Sequence, residues 1–79
     1  MGLEQLIAER ASCYHLARQI NEKRVILSRA LRTQEPFTSF HEILRADFYE
    51  LTQQLRRVLD RSRRLTLQIT LERQTAGES

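Results

Sequence analysis

The chain has 79 residues, 41% hydrophobic and 29% charged, with two Gly, one Pro and no Trp. That length fits one small domain, with neither a second domain nor a large enclosed core expected. A net charge of +3 at pH 7 falls short of a dedicated nucleic-acid arm, and a lone cysteine, Cys13, excludes an internal disulfide framework.

Long stretches free of Gly and Pro, filled with Leu, Arg, Gln, Glu and Ala, predict an all-α chain. From Leu3 onward, Leu6, Cys13, Ile20 and Leu27 recur at every seventh position, flanked by Leu3, Ile7, Tyr14, Ala17 and Leu31. This spacing winds into one apolar stripe and predicts a first helix over about 3–32. Arg10 and Arg24 stand where a strict coiled coil would place aliphatics, so an ideal zipper is not expected.

The stripe stops at Thr33-Gln34-Glu35-Pro36-Phe37, where Pro36 lacks an amide hydrogen and turns Glu35 away from the helical region. A linker over about 33–38 follows. Ser39-Phe40-His41-Glu42 reads as a capping box in which Ser39 accepts from the Glu42 amide and Glu42 reaches back. Beyond it Leu44, Phe48, Leu51, Leu55, Val58, Leu65 and Ile69 alternate at spacings of three and four, interrupted at Ser62. A second helix over about 39–73 is expected, with a small, polar tail at 74–79 that frays around Gly77. The short linker predicts an antiparallel two-helix hairpin of coiled-coil character. In it Leu6, Cys13, Ile20, Leu27, Leu44, Phe48, Leu51, Leu55, Val58 and Leu65 form the intrachain seam. The competing arrangement is a bent rod paired with a second copy.

No paired-His motif, cysteine pair, Gly-rich phosphate loop or nucleophile elbow occurs, so no enzyme activity, cofactor or metal is expected. Cys13 and His15 lie two residues apart, on different sides of a helix, and Cys13 reads as a small core residue. His41 falls in the first turn of helix two and reads as a plain surface histidine, with adjustment of the cap by its charge as the alternative. Tyr14 is expected in the seam.

Two helices bury only the strip between them, and so small a core seldom supplies more than about 3–5 kcal/mol. Val25, Ile26, Ile43, Tyr49, Leu67 and Leu71 fall outside both stripes and are candidates for partner contact. Arg56, Arg57, Arg61, Arg63 and Arg64 form a basic segment in which Arg56, Arg57, Arg63 and Arg64 are expected to point away from the seam. A phosphate backbone would suit that face, but Asp60 lies within a turn of it and stacking aromatics are missing. Docking on an acidic protein surface, or simple solvation, competes with it.

Leu3-Glu4-Gln5-Leu6, the long polar-interrupted first helix, the short Pro-containing break beside an aromatic and the Leu-rich second helix resemble the small helical-hairpin co-chaperones of bacterial type III secretion systems. The resemblance implies a complex with a second, helical-repeat chaperone, the pair keeping the needle subunit unpolymerised in the cytoplasm. It also implies that this chain stabilises the partner chaperone rather than gripping the needle subunit alone. The expected function is thus a non-enzymatic adaptor or co-chaperone. The alternatives are a nucleic-acid-binding accessory protein using the basic face and a structural homodimeric coiled coil. No run reaches the roughly 18 apolar residues of a membrane span. Glu4, Glu9 and Arg10 interrupt the start, so no membrane insertion and a cytoplasmic location are expected.

Overall fold

Two helices, α1 (Leu3–Thr33) and α2 (Ser39–Glu78), account for nearly all of residues 2–78, the part described by the computed structural model. α1 stops one residue beyond the predicted boundary. Thr33 Oγ1 donates to the Ala30 carbonyl at 3.0 Å, and the Gln34 amide donates to the same oxygen at 3.1 Å. Gln34 is already extended, with φ −89 and ψ 148, so the chain has left the helix before Pro36.

The turn hinges on Phe37, the one non-glycine residue with positive φ among those described, at φ 70. A left-handed phenylalanine crowds its own Cβ against the following carbonyl and costs roughly 1–2 kcal/mol. The residue after it caps α2. Thr38 Oγ1 accepts from the His41 amide at 3.1 Å and donates to the Glu35 carbonyl at 3.1 Å, while the Thr38 carbonyl accepts from the Glu42 amide at 3.1 Å. The expected Ser39–Glu42 box is therefore replaced by a Thr38 cap. Because the backbone reverses at Phe37, Ser39 is already inside the first turn, where its hydroxyl is not placed to cap.

The other end also departs from expectation: α2 runs on through Gly77 to Glu78 instead of fraying from residue 74. Glycine ends a helix by taking a left-handed conformation, and neither described glycine has positive φ. Thr75 Oγ1 meanwhile donates to the Leu71 carbonyl at 2.9 Å, as Thr70 does to Thr66 at 2.9 Å. Ser79, the last residue of the expected tail, lies outside the described residues.

The helices lie antiparallel in a rod of 62 × 15 × 14 Å, so the fold is the all-α hairpin. Leu6, Cys13, Ile20, Leu44, Leu65 and Ile69 are buried between them, Ile69 most completely at 1% exposure. Leu27, Phe48, Leu51, Leu55 and Val58 are half-buried. Around the open end Leu6, Cys13, Leu65 and Ile69 make the tightest cluster, with Leu3 and Val58 against it. Ser62, the polar interruption, is itself buried at 4%, filling a seam position without adding apolar contact.

Two arginines cross the seam where aliphatics were missing. Arg10 Nη1 donates to Thr66 Oγ1 at 3.5 Å and its guanidinium sits 5.9 Å from the Tyr14 ring centre. Arg24 Nε donates to Thr52 Oγ1 at 3.1 Å, with its guanidinium 5.1 Å from the Phe48 ring centre. Each threonine passes its own proton to the carbonyl one turn back, Thr52 to Phe48 at 2.9 Å and Thr66 to Ser62 at 3.0 Å, leaving the oxygen free to accept. The two rungs are fourteen residues apart on both helices, so they specify one and the same register.

Candidate docking flanks of the hairpin

A two-helix rod has a flank on either side of its seam, and the side chains differ sharply between them. On the first flank stand the Arg–Thr rungs. Tyr14, Leu59, Ser62, Arg63 and Thr66 line one hollow there, and Leu31, Arg45, Phe48, Tyr49, Thr52, Gln53 and Arg56 line another. Tyr14 is 52% exposed and so borders the seam instead of filling it as expected. The neighbouring Ser62 hydroxyl first, then that of Thr66, holds its phenol below the usual tyrosine range; burial opposes this and Arg10 assists it.

The second flank is an open groove. Along α2, Asp47, Glu50, Gln54, Arg57 and Arg61 follow at intervals of three and four, which keeps them on one edge. Toward the turn, Lys23, Ile26, Leu27, Asp47, Glu50 and Leu51 surround a hollow with an apolar floor. Toward the open end, Glu9, Ser12, Cys13, Leu16, Arg57, Val58 and Arg61 surround a second. A third, lined by Leu6, Glu9, Gln68, Leu71 and Glu72, continues the row. Leu16 is 45% exposed and Ile26 65%, so the groove carries apolar surface that the hairpin itself does not cover.

The six partner-contact candidates are all exposed: Val25, Ile26, Ile43, Tyr49, Leu67 and Leu71. They do not form one patch. Ile26 and Leu71 border the groove, and Tyr49 belongs to the Arg–Thr flank. At 3.6 residues per turn, Leu67 points to the back of α2.

The basic segment is divided as well, which corrects the single outward face expected of it. Arg57 and Arg61 border the groove, while Arg56 and Arg63 belong to the opposite flank. Successive residues step by about 100°, so a nine-residue run cannot keep five side chains together. Arg61 reaches Glu9 across the helices at 3.9 Å, and Arg63 reaches Asp60 at 3.6 Å. Arg64 is exposed.

Cys13 is buried in the seam, and exposed His15 pairs with Gln19 at 3.3 Å on another side of α1. His41 contributes its backbone amide to the Thr38 cap. Among the described residues no cluster of three His, Cys, Asp or Glu side chains is placed to share a metal ion, and no helix is long and apolar enough to cross a membrane. Sequence reading missed Leu16, Asp47 and Glu50 as groove residues. A signal existed in the 47–50–54–57–61 spacing, which is a second, polar heptad beside the apolar one. Comparison with protein-family models, curated proteins and solved structures finds no match.

Proposed function

We propose that this chain is a non-enzymatic, protein-binding adaptor that lends the groove beside its seam to another helical chain. The observation that carries the reading is the row of hollows floored by Leu6, Cys13, Leu16, Leu27, Leu51 and Val58 and rimmed by charge. An amphipathic helix laid in such a groove buries its apolar edge while its charges meet the rims. Bound this way, it stabilises both chains by mass action, which suits a hairpin with so little core of its own.

The layout resemblance to type III secretion co-chaperones supports a narrower form of the same reading, in which the groove serves a helical-repeat chaperone in the cytoplasm. Nucleic-acid binding has less support, because the arginines are split between two flanks and two of them already face carboxylates. Co-expression with neighbouring genes followed by affinity capture tests the adaptor reading. A helical chain should co-purify with the natural sequence and be lost from Leu16→Asp and Ile26→Asp. Retention of that chain by both variants would move the docking site elsewhere.

A further inference from the structure

Two neighbouring hollows of the groove have opposite sign. The turn-side hollow carries Asp47 and Glu50 against one cation, Lys23, for a net −1. The hollow toward the open end carries Arg57 and Arg61 against one carboxylate, Glu9, for a net +1. Among the described residues Asp47, Glu50 and Arg57 make no ion pair, and Arg61, whose side chain is 68% exposed, makes only the long one to Glu9.

The spacing of these charges is symmetric. Glu50 and Arg57 are seven residues apart and Asp47 and Arg61 fourteen, which places both midpoints within half a residue of Gln54. At about 1.5 Å per residue the two pairs span roughly 10.5 and 21 Å about that one point. We propose that the occupant of this groove is a second copy of the chain, packed antiparallel about a two-fold axis that crosses α2 at Gln54. The proposal rests on the docking reading above and names its occupant. Arg57 then faces the second copy's Glu50, Arg61 faces its Asp47, and the same contacts repeat on the other side of the axis. The positive hollow of each copy covers the negative hollow of the other, bringing Leu16, Leu27, Leu51 and Val58 of both into one four-helix core.

Two further observations fit. The axis superposes residues 39–69 of the two α2 helices, about 45 Å of rod. With a rod width of 15 Å, this covers roughly 700 Å² per copy, within the range of stable interfaces. The same rotation brings residue 37 level with residue 71. Phe37, 95% exposed at the turn, therefore arrives beside the hollow of Leu6, Gln68 and Leu71, a place for an aromatic that its own hairpin leaves in water.

Sedimentation equilibrium on the full chain should give twice the 9.4 kDa chain mass, with association weakening as salt is raised. Arg57→Glu with Arg61→Glu, and separately Asp47→Arg with Glu50→Arg, set like charges opposite each other on both sides of the axis. Each double variant should raise the dimer dissociation constant by about tenfold or more, with helix content by circular dichroism unchanged. An equimolar mixture of the two variants should dimerise again, because each then supplies the charge the other lacks. So should a chain carrying all four substitutions, which keeps the test decisive if one double variant folds poorly. A natural chain that stays monomeric at every concentration overturns the proposal, as do charge variants that dimerise undiminished or a mixture that fails to recover. If the chain is monomeric but Leu16→Asp still abolishes capture of a co-expressed helical protein, the docking flank stands and only its occupant is wrong.

Discussion

Ile69 offers the most direct measure of where the hairpin's stability resides. It is 1% exposed, whereas Leu67, two residues before it on the same helix, is 61% exposed. Ile69→Ala removes three carbons, and at about 0.8 kcal/mol per buried methylene the transfer loss alone is about 2.4 kcal/mol. A cavity adds to this, but a seam only two helices thick can partly close over it. The total should therefore fall in the lower half of the roughly 2–5 kcal/mol range, near 3. Against a hairpin of about 4 kcal/mol, that leaves about 1 kcal/mol and raises the unfolded fraction from about one in a thousand to roughly one in six. Leu67→Ala should stay within about 0.5 kcal/mol of the natural chain. Urea unfolding followed by far-ultraviolet circular dichroism, at one fixed protein concentration, reads both changes. Equal costs for the two substitutions would refute the assignment of stability to the seam.

Three further outcomes follow from particular contacts. Thr38→Ala should cost about 1 kcal/mol in thermal or urea unfolding, whereas Ser39→Ala should be close to neutral, since Thr38 is the cap. Phe37→Asn should raise the melting temperature of a monomeric background by an amount corresponding to about 0.5–1 kcal/mol, because asparagine tolerates positive φ better. Ser62→Ala should move the Tyr14 pKa upward, toward the ordinary tyrosine value, because it removes the neighbouring hydroxyl that most favours the phenolate. Ultraviolet titration in a Tyr49→Phe background reads this shift, and a fall or no change would place Tyr14 away from Ser62.

The seam was legible because burial repeats with the helical period: Leu6, Cys13, Ile20 and Leu27 on one side, and Leu44 through Leu65 on the other, were all marked by spacing alone. The cap was misplaced by one residue because Thr38 and Ser39 both offer a hydroxyl. The choice between them depends on where the chain reverses, and nothing in the residue type of Phe37 announces a left-handed backbone. Gly77 misled in the opposite sense: glycine permits a helix stop without imposing one. The basic run looked like one surface because five arginines are close in sequence, yet the rotation per residue sends Arg57 and Arg63 to different flanks. Asp47 and Glu50 were passed over as groove residues, despite their regular spacing with Gln54, Arg57 and Arg61, because a charge at the edge of a seam reads as solvated until the adjoining hollow is known.

The rungs from Arg10 and Arg24 to threonine hydroxyls fix how the two helices slide against each other, each joining an arginine donor to a hydroxyl whose own proton is already committed to the backbone. Alignment within the rod therefore rests on hydrogen bonds to hydroxyls, in contrast to zippers held by glutamate and lysine. A slide of seven residues would keep apolar stripe against apolar stripe but take both arginines off their threonines at once, so two polar pairs select the one alignment that greasy contact alone leaves open.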